Sequence, residues 1–313
     1  MAVGVEGNFG KEARDSTGHR QENEKQHRTT EGIFDEMTGV HQDIDPQLFL
    51  LSVDSISGAE IVAMAKTLNA QIFQTAALIA DAFECVPLES TTDSGRSYLG
   101  FGEIMTRLLA SADPAAVQLA LQAAISRWCK EKTETWCLGD EVFGWCLLGL
   151  YEKIWHAENQ VTAGRWRAIT RAKTKHSDEV NLLNTSLIEC VFEVMFAAGW
   201  KTERGEAIAS IHGRFGGQIS AIVKHALQLR KAIWEDMISE ELEVTYIEPN
   251  CRFDGRVMED ADAAGSRATR NKQEAVACTS DIGVQRRNRG GNLEGGGILL
   301  RPKVVLESAL QEI

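Results

Sequence analysis

Apolar residues fall into two spacings along this chain, three-and-four through its middle and alternation near its end. Ile61, Met64, Leu68, Ile72, Ala76, Ile79 and Phe83 recur at intervals of three and four, which puts them on one face of a helix over 57–83. Ser57 and Glu60 precede that run as a Ser-x-x-Glu capping box, each side chain satisfying a backbone N–H of the first turn. Pro87 and the polar stretch 89–97 close it.

The same spacing continues. Phe101, Ile104 and Leu108 mark a short helix. Asp113-Pro114 caps a third, carried by Val117, Leu121, Ala124 and Trp128. Val142, Phe143, Leu147, Leu150 and Ile154 predict a helix over 140–156 with those residues inward, and 162–173 a short basic one. Ser177 is the expected cap of a helix over 177–198, with Val180, Leu183, Leu187, Val191 and Val194 inward and Gly199 as its stop. A last long helix is expected over 215–238, from Ile219, Ile222, Ala226, Leu229 and Ile233. No fixed-period repeat links these helices, so a bundle is preferred to a solenoid.

After residue 240 alternation takes over. Strands are expected near 242–247, 275–279 and 298–306, pairing with one another across a Gly-rich insert. Residues 1–43, polar and charged with few aliphatic side chains, are expected to be a disordered tail. The fold class is therefore mainly α: a multihelical bundle over 44–240, a small C-terminal β appendage over 241–313, and a disordered N-terminal tail.

Composition adds compartment and charge. The net charge of −12 disfavours nucleic acid and anionic lipid as partners. No secretory h-region and no ~18-residue apolar run are present, so an intracellular, cytoplasmic or nuclear protein away from the membrane is expected. The seven cysteines lack paired spacing and are read as free, buried thiols.

Candidate chemistry is sparse. Gly7 to Lys11 is two residues short of a phosphate loop and no strand precedes it. Gly213, Gly216 and Gly217 are read as a helix-entry loop. The histidines show no metal-ligand spacing, with His225 expected in the core. Asn184-Thr185-Ser186 spells a glycosylation sequon but falls inside an expected helix. The tryptophans sit on or beside apolar stripes and are expected in the core. No catalytic, metal-binding or cofactor-binding residue is named, and no cofactor is expected.

One charge anomaly remains in this acidic chain. Residues 165–175 carry five cations and no acid. Arg167, Arg171 and Lys175, four apart, line one helix face, with Arg165 across the first turn and Trp166 and Ile169 facing the body. Arg165, Arg167, Arg171 and Lys175 are thus the candidate binding residues for a protein partner bearing an acidic or phosphorylated segment. The competing reading is a solvated helix face.

Three stretches, LNAQIFQTAALIADAF (68–83), GRWRAIT (164–170) and LLRPKVVLES (299–308), resemble uncharacterised predicted proteins of mushroom-forming fungi. That resemblance implies no activity. The order LEVTYIEPNCRFD (242–254), AVACTSDIGV (275–284), ILLRPKVV (298–305) faintly resembles the small β domain of GrpE-type co-chaperones, with Met258 where that family has a histidine. The expected function is a noncatalytic helical adaptor or scaffold. The alternatives are a chaperone-associated nucleotide-exchange factor, from the second resemblance, and an enzyme with an unrecognised pocket in a helical fold.

Overall fold

The computed structural model describes residues 54–88, 100–175, 177–262, 274–289 and 297–311; the tail expected over 1–43 lies outside them. Eight helices and six strands follow in the described chain: α1 (Gly58–Ala82), α2 (Glu103–Ala110), α3 (Pro114–Glu134), α4 (Glu141–Ala157), α5 (Gln160–Lys173), α6 (Glu179–Ala197), α7 (Arg204–Lys231), a π-helical turn (Ala232–Asp236), β1 (Leu242–Thr245), β2 (Glu259–Asp260), β3 (Val276–Asp281), β4 (Gly283–Arg286), β5 (Ile298–Leu300), β6 (Lys303–Leu306) and α8 (Glu307–Leu310). The protein is mainly α, a multihelical bundle with a small C-terminal sheet region.

The bundle centre is α3, packed by α1, α6 and α7, with α1 and α6 also against α7. Every residue from Ala120 to Ser126 is buried, the all-round burial of a helix with neighbours on each side. The six positions expected in the core, Leu68, Ile72, Ile79, Leu187, Val191 and Ile222, have no exposed surface. Ser57 and Glu60 form their capping box, and the Asp113 carboxylate accepts from the N–H groups of Ala115 and Ala116.

Two helix starts differ from expectation. α6 begins at Glu179 with Asp178, not Ser177, at the cap position. α7 begins at Arg204, capped by the Glu203 carboxylate on the N–H groups of Gly205 and Glu206. Gly213, Gly216 and Gly217 are therefore helix interior rather than an entry loop. The buried stripe Ala207, Ile211, Phe215, Ile219 runs straight through them, and its packing offsets a glycine penalty of about 1 kcal/mol each.

The strands form two three-stranded sheets, β1-β4-β5 and β2-β6-β3. All pairs are antiparallel except β2 with β6. β3–β4 and β5–β6 are each one run of chain that changes sheet, at Ile282 and at Arg301-Pro302. At the first corner a Cβ on Gly283 would lie 2.4 Å from Thr245 Oγ1 and 2.5 Å from the Leu300 carbonyl, so only glycine fits there.

The expected strands pair with one another, and their buried faces also join the helical core. Leu242, Val244, Ala277, Cys278, Ile282, Val284 and Val305 belong to the same buried cluster as α1, α3, α6 and α7, and residues 53–313 form one compact unit. Buried polar pairs fix this docking. Asn69 of α1 donates to the Ile282 carbonyl at 2.9 Å and accepts from its N–H at 3.1 Å, and Ser126 of α3 donates to the Ser280 carbonyl at 3.0 Å.

Candidate functional site

Two arginines of the basic segment, Arg167 and Arg171 of α5, lie inside the molecule. Arg167 has no exposed surface and Arg171 only 2%. Both reach helix C-termini, where the last carbonyls lack intrahelical donors and carry the negative end of the helix dipole. Arg167 pairs with Glu241 and Tyr151 and donates to the carbonyls of Trp234 and Met237, where the π-helical turn ends α7. Arg171 donates to the carbonyls of Thr135 and Glu134 at 2.7 and 3.0 Å, closing α3. Arg230 of α7 shares the Thr135 carbonyl and takes that of Trp136.

Three guanidinium groups in this volume are opposed by Glu241, Glu179 and Glu235, the last pairing with Lys175 at 2.8 Å. Burial, then the charges of Arg230 and Arg167, hold the Arg171 pKa well below the usual arginine value. Aromatic faces supply part of the lost hydration: the Arg171 guanidinium sits 4.1 Å from the Trp234 ring centre and 5.0 Å from that of Trp136. α5 approaches the chain at Ile238 closely enough that a Cβ on Gly164 would lie 2.3 Å from its carbonyl oxygen.

The expected exposed stripe is thereby corrected. Of Arg165, Arg167, Arg171 and Lys175, only Lys175 is exposed and Arg165 half-buried, while Ile169, expected inward, is exposed. Trp166 does face the body, against Trp136 and Tyr151. A four-residue spacing of cations is the same whether the face meets water or two helix ends. Arg286 and Arg287, the other clustered cations, pair with Glu240 and Glu152.

Helix α4 carries the opposite surprise. Its buried residues are Gly144, Leu147, Tyr151 and Trp155. Val142, Phe143 and Leu150, expected inward, are exposed, as is Trp145, with 76% and 71% of Val142 and Trp145 open to solvent. Residues 142–151 contain no charge, so the helix is apolar on both faces and only one is covered. Along the outer face run Val142, Trp145, Cys146, Gly149 and Leu150, at spacings of three, one, three and one, a continuous stripe on a helix.

Beside this stripe is a cavity of about 690 Å³ between the end of α3, the 135–139 loop, α4 and α6; Trp145, Leu148, Leu138 and Leu182 line it together with Lys130 and Glu131. Among the described tryptophans Trp145 alone departs from the expectation of a core position. Among the cysteines Cys146 and Cys251 are exposed, against the expected burial. The sequence signal for this face was present in the charge-free decamer, which exceeds what one buried stripe of a surface helix needs.

Ser186 of the sequon accepts from Trp128 Nε1 inside the bundle. The phosphate-loop-like Gly7 to Lys11 and the residues His19, His27, His41 and His176 lie outside the described residues. Among the described residues no three His, Cys, Asp or Glu side chains converge to hold a metal. α6 is long and apolar enough by length and composition to cross a membrane, but Leu183, Leu187, Val191 and Met195 bury in the core and Glu193 pairs with Arg204. Comparison with protein-family models, curated proteins and solved structures finds no match.

Proposed function

We propose that this chain is a noncatalytic helical interaction protein, an adaptor or scaffold, whose contact surface is the outer face of α4 and the adjoining cleft. The observation that carries the reading is the exposed stripe Val142, Trp145 and Leu150 on a helix whose opposite face is already packed. Exposed apolar side chains scattered singly are ordinary, whereas a contiguous stripe crowned by tryptophan marks a contact site. The basic residues of α5 hold the bundle behind this face, and the strands behind the co-chaperone resemblance are committed to the core with α1 and α3.

The test is affinity purification of the full chain from its native cell, beside a Trp145→Asp, Leu150→Asp variant. Both side chains are exposed, so the variant should keep its stability to within about 0.5 kcal/mol. It should lose the partners that the wild type retains. An unchanged partner set with an unchanged thermal midpoint removes α4 as the contact surface.

A further inference from the structure

Resting on that reading of α4, we infer that the occupant of its outer face is a second copy of this chain, packed as an antiparallel helix pair. The argument is the order of chemistry along the helix. Glu141 stands at its N-terminal end, Val142, Trp145, Cys146, Gly149 and Leu150 fill the middle, and Lys153 stands at its C-terminal end. Glu141 and Lys153 are both exposed, and neither has an ion-pair partner among the described residues.

Both lie six positions from residue 147, roughly 9 Å along the axis in either direction. A two-fold axis level with Leu147 therefore brings each Glu141 level with the partner copy's lysine at position 153. A parallel pairing would instead set like charges side by side.

Shape supports the same register. Trp145 and Gly149 lie two positions either side of 147, so the indole of each copy meets the glycine of the other. A Cβ at Gly149 would find nothing within 4 Å, which leaves room for a ring and lets two helix axes approach to ~8 Å, the close end of helix packing. The antiparallel arrangement also sets the two helix dipoles side by side in opposite directions, each positive end beside a negative one. An unrelated partner would have to match acid end, apolar middle, open glycine and basic end; a second copy matches all four by symmetry. One four-turn helix face is smaller than the roughly 800 Å² per partner of a standard interface, so the dimer should be of moderate affinity, ~10 μM.

Sedimentation velocity on the full chain from about 1 to 100 μM, spanning that affinity, should show a monomer–dimer equilibrium. Trp145→Lys, at an exposed site, should weaken it at least about tenfold with an unchanged circular dichroism spectrum. Glu141→Lys and Lys153→Glu should each weaken it about fivefold or more, and the double charge swap should restore wild-type affinity. Rescue distinguishes a pairing across the dimer from a local effect of Lys in the first turn of α4, which the second change would not repair.

In the same dimer Cys146 of the two copies lies within about 10 Å. A short bismaleimide should therefore cross-link the Cys251→Ser chain and not its Cys146→Ser derivative. A chain monomeric throughout that range, or a dimer indifferent to Trp145→Lys, overturns the inference. If the chain is monomeric yet the Trp145→Asp, Leu150→Asp variant loses a different protein, the contact-surface reading stands and the second copy is replaced as occupant. If neither oligomeric state nor partners respond, both readings fall.

Discussion

Arg167 shows how one side chain does work that the backbone leaves undone. Its guanidinium supplies donors to Trp234 and Met237 where α7 unwinds, and Glu241 balances its charge in a volume closed to water. Removing one member of a buried pair leaves the other uncompensated, so Glu241→Gln should cost about 3–5 kcal/mol. Arg167→Lys should cost more than about 2 kcal/mol, because an ammonium cannot span the two carbonyls and the carboxylate that the planar fork reaches. Urea denaturation with an unchanged slope checks both; a loss below about 1 kcal/mol in either, on the scale of a surface ion pair, would mean that the pair is screened as an exposed one is.

Asp54 contributes to acid sensitivity at the same scale. Burial raises its pKa, but the Ser239 hydroxyl and the N–H groups of Ser239 and Ile238 outweigh that and leave it below the ordinary value of 3.8. A lowered folded pKa contributes stability that is fully present above the unfolded value and is lost as pH falls through the folded one. Asp54→Asn should therefore be less stable than wild type at neutral pH, and the gap should close as pH drops below about 4. A gap independent of pH would assign the effect to geometry rather than to charge.

At the scale of elements, helix faces follow from what lies opposite them. Ile72 sits fully buried on α1, and Ile72→Ala should cost about 2–5 kcal/mol in chemical denaturation. In α7 the same logic gives a gain. Gly213 and Gly217 are in helical conformation, and a Cβ at either would meet nothing within 4 Å. Gly213→Ala and Gly217→Ala should each stabilise the protein by about 0.5–1 kcal/mol, visible as a raised thermal midpoint. A lowered midpoint would show that this face of α7 is not free.

Helix existence was legible because spacing and caps are local. The capping box at Ser57 and Glu60 and the proline after Asp113 specify helix starts within one turn of chain. Facing was less legible. α4 offers apolar residues on every side, so periodicity could not say that Leu147 and Tyr151 turn inward while Val142 and Leu150 turn out. α5 offered cations at a four-residue spacing, which is equally the pattern of a solvated face and of a face that closes two helix ends.

At the scale of the molecule, helices and strands make one compact unit with a shared core. Asn69 bonds both backbone groups of Ile282 within the shared core. Asn69→Ala leaves a buried N–H and a buried carbonyl without partners, and should cost about 2–4 kcal/mol. The helical far-ultraviolet signal and the protected amides of Val276–Asp281 should be lost in one transition, in the variant as in the wild type. Amides of that strand exchanging freely while the helices persist would make the sheet region a separately unfolding unit.

Local patterns in the chain were enough to make it mainly helical, to place most helix starts, to put six residues in the core and to set strands after residue 240. Those are consequences of short-range stereochemistry and of apolar periodicity, both written within a few turns of chain. That the strands complete the helical core, that Arg167 and Arg171 are buried, and that the outer face of α4 stays open came from long-range packing. Each of these depends on groups distant in sequence, such as Asn69 with Ile282 and Arg167 with Glu241, and no local pattern records which surfaces the folded chain leaves unmatched.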